Sequence, residues 1–217
     1  MCHEAMKKLP CLIGATRMLV CGEDLGMVPD CVEAVMKQLQ ILSLELQRMP
    51  KSPNDEFGHV AAYPYLSVCT FSSHDTSTIR EWWEEDYGKT ARYFKNELHR
   101  QDDIPPYASA WICKLIVDMQ LNSNSMLTIL SFQDWLSINE SVRLADASAE
   151  RINVPADPRH YWRYRMHLTL EELMNSDELN EEIKNMFHQN LMFAHSQPKI
   201  HSSDSEHLSI RVPDEKV

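Results

Sequence analysis

The sequence has 217 residues with a formal net charge of −11, and its hydrophobic content of 43% is enough for a sizeable core. The acidic balance argues against nucleic acid or an anionic membrane as a partner. No uncharged apolar run approaches the roughly 18 residues of a membrane span, and residues 1–10 lack the apolar core of a signal peptide. Six cysteines without a C-x-x-C pair indicate free thiols in a reducing, cytoplasmic compartment.

In the first part of the chain, predicted helices alternate with short apolar strands. Residues 4–14 predict the end of a helix that closes near a glycine, and residues 18–22 predict a fully apolar, buried strand. A helix is predicted over 30–42, where apolar residues recur at intervals of three and four. Strands are predicted over 42–49 and 62–71, and each is followed by a polar loop.

The remainder of the chain continues this alternation and ends in a polar segment. Its predicted elements are helices over 78–100, 104–121 and 170–191 and a strand over 125–132. The side chains expected to be buried on the first of these helices are those of Trp82, Tyr93, Phe94 and Leu98. From residue 194 the sequence is rich in serine, histidine and aspartate, which predicts a disordered tail over 194–217 after a single folded domain over 1–193.

The alternation of strands and helices predicts an α/β protein with a parallel sheet. We expect strands at 18–22, 41–47, 65–71 and 126–132 to lie side by side with helices outside them. Polar residues follow these strands, and parallel α/β folds place active sites at the carboxyl ends of their strands. The sequence contains no G-x-G-x-x-G, G-x-S-x-G or H-E-x-x-H motif, so nucleotide binding, α/β-hydrolase chemistry and zinc-protease chemistry have no support.

The first polar cluster is Glu23–Asp24, which follows the predicted strand in "MLVCGEDLGMVP". One interpretation is that these carboxylates cap the next helix or lie in solvent. The other is a general acid, because partial burial at the end of an apolar strand favours the protonated form of a carboxyl group. Glu23 is the better candidate because it comes directly after the glycine, and we expect it to converge with Asp75 in one cleft.

The second polar cluster is His74–Asp75, at the end of the strand in "YLSVCTFSSHDTST". Three interpretations are open. Asp75 could be a helix N-cap, the pair could be the metal-binding doublet of an HD-type phosphohydrolase, or it could belong to an acidic sugar-binding site. Aromatic residues are by default core residues, although their faces also suit pyranose rings. The aromatic candidates are Trp82, Trp83, Tyr161, Trp162 and Tyr164.

Four segments together carry a family resemblance. "CGEDLG", "SSHDTSTIREWW", "FQDWL" and "INVPADPRHYWRYRM" occur in the order and rough spacing of glycoside hydrolase family 77. Over residues 5–190 the sequence resembles these 4-α-glucanotransferases, also called amylomaltases or disproportionating enzymes, and most of all their plant cytosolic members. The resemblance implies a (β/α)₈ TIM-type barrel, a retaining mechanism, a maltose, maltodextrin or glucan substrate linked to starch metabolism, and no cofactor or metal.

The resemblance also implies roles for individual residues. Glu23 matches the general acid/base of the family's E-D-L-G motif, and Asp75 matches its transition-state-stabilising aspartate. His74 would bind the sugar beside Asp75. The other residues expected to bind substrate are Asp24, Arg80, Gln133, Asp134 and Asn153.

One motif of the family is missing from this sequence. No "R-I-D-H"-like segment carries the nucleophilic aspartate. The resemblance therefore implies the C-terminal portion of an incomplete barrel, whose N-terminal half would be a missing partner. We expect this chain alone to be inactive and to fold poorly. The alternatives are a catalytically inactive glucan-binding remnant and, with less support, an HD-type metal phosphohydrolase.

Overall fold

The computed structural model describes residues 2–196, so the tail predicted over 194–217 lies outside the described residues apart from the end of the last helix. The strands are β1 (Ser43–Leu46), β2 (Ser67–Thr70) and β3 (Leu127–Thr128). The helices are α1 (Cys2–Gly14), α2 (Cys31–Leu39), α3 (Ile79–Glu85), α4 (Tyr87–Asn96), α5 (Ala110–Leu121), α6 (Phe132–Leu136), α7 (Leu170–Met174) and α8 (Asp177–Ser196). Short 3₁₀ helices lie at Val60–Ala62 and Ala147–Glu150.

The sheet has the strand order β1-β2-β3, and both pairings are parallel. A single parallel bridge, Cys21↔Leu42, continues the sheet beyond β1. α-Helices occupy the connection from residue 21 to β1 and the connection from β2 to β3, whereas the 20-residue connection between β1 and β2 contains only the 3₁₀ helix at Val60–Ala62. Each connection is long enough for the crossover that parallel pairing requires. The predicted α/β class with neighbouring parallel strands is therefore confirmed.

The first predicted strand is only partly formed. Residues 18–22 contribute the Cys21 bridge and no longer ladder, and Met18 and Leu19 are 77% and 55% exposed. A parallel strand is buried when neighbours cover its edges and both of its faces. Within the described residues this segment is paired on the β1 side only, so the prediction of a buried strand is wrong here.

Capping residues divide two of the predicted helices and shorten a strand. The helix expected over 78–100 stops at Glu85, because Asp86 leaves the helical conformation and accepts the Lys89 amide at 3.0 Å to begin α4. The helix expected over 170–191 is likewise interrupted between α7 and α8. The last strand is cut short because the Ser131 hydroxyl accepts a hydrogen bond from the amide of Asp134 and starts α6.

The main hydrophobic core joins Phe71, directly after β2, to α3–α6 and α8. The four residues predicted to be buried, Trp82, Tyr93, Phe94 and Leu98, all lie in it. The rings of Phe71 and Trp82 meet edge to face, with centroids 5.1 Å apart. Burying a side chain of this size contributes about 1.5–3 kcal/mol, so the core fixes α3 against the end of β2.

The structure bears on two further expectations, that the cysteines are free thiols and that the sequence contains no membrane span. All six cysteines are free thiols. Cys69 and Cys113 are buried as expected for core residues, whereas Cys2, Cys11 and Cys21 are exposed. Within residues 2–196, no helix is both long and apolar enough to cross a membrane.

Candidate active site

His74 and Asp75 lie on a tight polar turn between β2 and α3. The Ser73 amide donates to the Thr76 hydroxyl at 2.8 Å, and the Thr76 amide donates back to the Ser73 carbonyl at 3.2 Å. About half of each of the His74 and Asp75 side chains is exposed. The cap of α3 is Thr78, so the interpretation of Asp75 as a helix N-cap is wrong.

Asn153 comes from a distant loop and closes onto this turn. Its side-chain amide donates to Asp75 Oδ1 at 2.6 Å, and its main-chain amide donates to the His74 carbonyl at 3.1 Å. His74 Nε2 lies 3.3 Å from the other Asp75 carboxylate oxygen. The structure therefore brings three of the predicted site residues into one cluster, which we call the Asp75 cluster (His74, Asp75 and Asn153).

Trp162, one of the aromatic residues considered for sugar binding but not assigned to the site from the sequence, borders the Asp75 cluster. Its ring centroid lies 5.2 Å from that of His74, at an interplanar angle of 45°. Trp162 is 62% exposed and the neighbouring Tyr161 is 70% exposed, so neither is the core residue that its type predicts by default. The run of aromatic and basic residues in "HYWRYR" was the available signal.

A buried ion pair lies beneath this turn. Arg80 and Glu150 pair with side chains that are 8% and 3% exposed. Glu150 also accepts the Thr78 hydroxyl at 3.0 Å, and its carbonyl accepts the Gln133 side-chain amide at 3.1 Å. Burial raises the pKa of Glu150, and the Arg80 charge opposes that shift. Gln133 and Arg80 thus support the cluster from below rather than lying on its surface.

Asp134 is the second buried carboxylate beneath the turn. Its Oδ1 accepts the Ile79 amide at 2.9 Å, at the start of α3, and the residue has no exposed surface. Burial raises the pKa of Asp134, and the Ile79 amide and the Arg48 charge oppose this. Burial also lowers the pKa of Arg48 to about 10, and this guanidinium donates to the Ser77 hydroxyl at 2.9 Å.

Arg151 joins the loop of Asn153 to α3, and it too was missed from the sequence. Its guanidinium lies 3.1 Å from Glu81 and 3.5 Å from Glu85. Its Nε donates to the Asn153 carbonyl at 2.8 Å. These contacts hold the loop that carries Asn153 against the helix that follows the His74–Asp75 turn.

Glu23 and Asp24 lie apart from this cluster, on the far side of β1. Glu23 is exposed, so the expectation that it is partly buried at the end of the strand is wrong, and the buried member of the pair is Asp24. Asp24 Oδ1 accepts the Leu44 amide of β1 at 2.9 Å, so neither the solvent nor the helix-cap interpretation describes this residue. Because residues 20–22, β1 and β2 run in parallel, Glu23 and Asp75 follow the carboxyl ends of strands two positions apart, about 10 Å at two strand spacings.

The metal interpretation of the His74–Asp75 pair gains nothing from the geometry. Among the residues that the structure describes, no group of three or more His, Cys, Asp or Glu side chains is arranged to hold a metal ion. The groups close to His74 are instead an amide, a carboxylate and an indole.

Comparison with known sequences gives a consistent assignment. Residues 1–170 match the model of the glycoside hydrolase 77 family, described as 4-alpha-glucanotransferase. The 4-alpha-glucanotransferase DPE2 of Oryza sativa subsp. japonica is 40% identical over 184 residues, which are 85% of this chain and 20% of the rice protein. The 4-alpha-glucanotransferase of Chlamydia pneumoniae is 29% identical over 182 residues, which are 81% of this chain and 34% of that protein.

Two solved structures share the fold. The amylomaltase of Streptococcus agalactiae, in complex with acarbose, superimposes with a TM-score of 0.59 at 18% identity, covering 78% of this chain and 31% of that enzyme. The amylomaltase of Corynebacterium glutamicum gives a TM-score of 0.54 at 15% identity, covering 77% and 28%. The chain spans about a fifth to a third of the length of these relatives. From its sequence match and its fold, the chain belongs to glycoside hydrolase family 77, the family of the 4-alpha-glucanotransferases.

Proposed function

We propose that this chain supplies one part of the active site of a 4-α-glucanotransferase, with Glu23 as general acid/base and Asp75 as the carboxylate that stabilises the transition state. The observation that carries the proposal is the exposed Asp75 cluster at the carboxyl end of β2, supported by a buried ion pair. Its carboxylate and amide groups suit sugar hydroxyls, and the adjacent Trp162 ring suits the apolar face of a glucosyl unit.

The proposed reaction transfers an α-1,4-linked glucosyl segment with retention of configuration. Glu23 protonates the glycosidic oxygen of the leaving sugar, and the deprotonated carboxylate then takes the proton of an incoming hydroxyl. When that hydroxyl belongs to another sugar, one glycosidic bond is exchanged for another. The exposure of Glu23 agrees with a group that must reach substrate.

Asp75 acts on the sugar ring at the point of cleavage. Retaining glycosidases pass through a transition state in which the ring becomes positively charged, like an oxocarbenium ion. The Asn153 amide fixes one oxygen of Asp75 by its hydrogen bond. A fixed negative charge stabilises a developing positive charge without reorganisation during the reaction. Asn153 therefore orients Asp75, and His74 holds the same sugar from the side.

Four predicted substrate ligands have buried side chains. Asp24, Arg80, Gln133 and Asp134 are each at most 7% exposed, and each bonds to another part of the protein. Within the described residues, only the second oxygen of Asp134, Oδ2, lacks a partner among their buried side-chain atoms. Direct contact of these residues with substrate remains a prediction. Their contacts favour an indirect role, in which they hold the main chain that carries Glu23 and the Asp75 cluster.

The nucleophile is proposed to come from a part of the protein outside this sequence. A retaining mechanism needs two carboxyl groups about 5–5.5 Å apart, and the strands carrying Glu23 and Asp75 stand about two spacings apart. We propose that the complete enzyme is a cytoplasmic (β/α)₈ barrel that acts on maltose, maltodextrin or glucan without cofactor, nucleic acid or membrane, and that this chain alone is inactive.

A graft into the rice relative tests the proposal. Residues 5–190 replace the matching segment of the rice 4-alpha-glucanotransferase, and glucose release from maltodextrin is measured. We expect the graft to be active, and Glu23→Gln or Asp75→Asn to reduce its kcat by roughly 10²–10⁴-fold. The matched control is Glu33→Gln on the exposed face of α2, which should leave kcat unchanged.

Two results would contradict the proposal. A Glu23→Gln graft with full activity would remove Glu23 from the mechanism. A folded graft without activity, shown by its circular dichroism spectrum, would favour the inactive glucan-binding remnant instead. The isolated chain provides a further check, because it should release no more glucose than its own Glu23→Gln variant.

A further inference from the structure

The segment before Glu23 leaves the sheet at a defined point. The Leu42 amide donates to the Val20 carbonyl at 3.0 Å, and the Gly22 amide donates to the Leu42 carbonyl at 2.8 Å. The next donor on this edge of β1 is the Leu44 amide, which in a continuing parallel ladder would bond to a main-chain carbonyl. It bonds instead to Asp24 Oδ1 at 2.9 Å. The Asp24 carboxylate therefore takes the acceptor position of the ladder and ends it.

The second oxygen of Asp24 is held by Lys51. Its ammonium lies 2.7 Å from Asp24 Oδ2 and 2.7 Å from Glu45 Oε1. The two carboxylate side chains are only 8% and 10% exposed, and that of Lys51 is 35% exposed. The Ser43 hydroxyl also donates to Glu45 Oε1 at 2.8 Å. Two nearly buried carboxylates without this cation would repel each other and lose their compensation for burial.

Glu23 lies between two anchors on the same strand. Gly22 is fixed to Leu42 by its main chain, and Asp24 is fixed to Leu44 by its side chain. Glu23 itself is exposed, and within the described residues its carboxylate makes no hydrogen bond. Its direction is therefore set by its two neighbours in the chain.

We propose that Asp24 and Lys51 are positioning residues for Glu23, and that Lys51 locks the loop from Gly22 to Gly26 onto β1. This inference rests on the proposed role of Glu23 as the general acid/base. Positioning matters for such a group, because a misplacement of about 1 Å can cost about a hundredfold in rate. Loss of the Lys51 ammonium should therefore lower kcat more than it changes KM.

The first test is hydrogen exchange in the rice graft that carries residues 5–190, because we expect the isolated chain to fold poorly. Lys51→Met should accelerate exchange of the Leu44 amide by about tenfold, because its acceptor loses its fixed position. Lys51→Arg keeps the charge and should restore slow exchange. The matched control is Lys114→Met, which removes a partly exposed ion pair to Glu182 between α5 and α8 and should not alter Leu44. Unchanged exchange in Lys51→Met would overturn the inference.

The second test uses the rice graft and separates this inference from the proposed function. Lys51→Met should reduce kcat about tenfold or more with little change in KM, and Lys51→Arg should recover most of it. If the graft is active and Lys51→Met leaves its kcat unchanged, the positioning role is overturned and the proposed function stays intact. An inactive wild-type graft would count against the proposed function, and the exchange result would then decide alone whether Lys51 locks this loop.

Discussion

The two sides of the candidate site are built in different ways. The Asp75 cluster lies between β2, α3 and the 151–153 loop, and buried residues support it from beneath. The Glu23 loop follows a one-residue bridge at the edge of the sheet. The apolar residues on either side of this loop are exposed, namely Met18, Leu19, Met27 and Val28. Within the described chain, the Asp75 cluster is therefore packed against several elements, whereas the Glu23 loop is held by contacts with the single strand β1.

This difference shows which part of the site the chain determines by itself. Polar groups beneath the Asp75 cluster have lost their contact with water, so their geometry depends on internal partners, such as the Arg80–Glu150 ion pair and the Ile79 amide on Asp134. The Glu23 loop depends instead on one strand and on the Lys51 ion pairs. We therefore expect substitutions beneath the Asp75 cluster to cost the most stability and substitutions near Glu23 to cost the least.

The largest expected effect is that of Arg80→Met. Removal of this guanidinium leaves Glu150 charged and almost fully buried, with its Thr78 hydrogen bond as the remaining support. Breaking a buried ion pair in this way costs about 3–5 kcal/mol of the free energy of unfolding, measured by urea denaturation. The control, Arg92→Met, removes an equally direct pair to Glu56 that is about half exposed, and it should change stability little. If both variants lose the same free energy of unfolding, the ion pair beneath the Asp75 cluster contributes no more than a surface pair, and the contrast between the two sides of the site fails.

A second expected effect concerns pH and Asp134. Because burial raises the pKa of Asp134, the native state keeps this proton to a higher pH than the unfolded chain does. Its contribution to the free energy of unfolding therefore falls as pH rises above 3.8, the ordinary aspartate value. Asp134→Asn keeps an oxygen to accept the Ile79 amide and removes the titration. The stability of this variant relative to the wild-type protein should grow as pH rises.

The measurement is urea denaturation of both proteins from pH 3.5 to pH 7, about the range in which a shifted carboxyl group titrates. Asp30→Asn is the control, since Asp30 is exposed and its side chain makes no cap hydrogen bond. A relative stability of Asp134→Asn that falls with rising pH would show that the ionised carboxylate stabilises the native state. In that case, attraction between the ionised Asp134 and its positively charged surroundings would outweigh the cost of burying its charge.

The sequence correctly predicted the parallel pairing of the strands and four buried side chains on and just after α3 and α4, for a physical reason. The apolar repeat that carries Trp82 and Phe94 is a local pattern, and local patterns report which face of a helix is buried. The predicted 18–22 strand was equally apolar, yet Met18 is exposed. An apolar run indicates that a segment prefers burial, but it does not indicate whether a neighbour covers it.

The supporting residues of the site could not be predicted because their partners are far apart in sequence. Arg151 contacts Glu81, 70 positions earlier, and Lys51 contacts Asp24, 27 positions earlier. Neither residue stands in a motif that indicates its partner. The sequence favoured Glu23 over Asp24 as the general acid, but nothing in it indicated that the Leu44 amide of β1 uses Asp24 as its hydrogen-bond acceptor.

A smaller effect is expected for Trp162, on the exposed face of the Asp75 cluster. If its ring packs on a glucosyl unit, Trp162→Ala should raise the Kd for maltodextrin about three- to tenfold. This assumes that a ring on a sugar face contributes about as much as an aromatic pair, which is about 0.5–1.5 kcal/mol. Calorimetric titration of the rice graft measures this. The control is Trp111→Ala, which removes another partly exposed indole, on α5. A Trp111→Ala variant that weakens binding as much would argue against a specific role for Trp162.

The smallest effects are expected at the glycines of the Glu23 loop. Gly26 has a φ of +76°, and a Cβ added there would meet no atom within 4 Å. Gly26→Ala should therefore cost about 1 kcal/mol from the left-handed backbone conformation alone. A Cβ added to Gly22 would lie 2.9 Å from Met36 Cε, the flexible end of a long side chain. Met36 can move aside, so Gly22→Ala should cost less than Gly26→Ala in urea denaturation. A larger cost at Gly22 would show that this edge of the sheet is packed as tightly as the region beneath Asp75, and the contrast between the two sides would not hold.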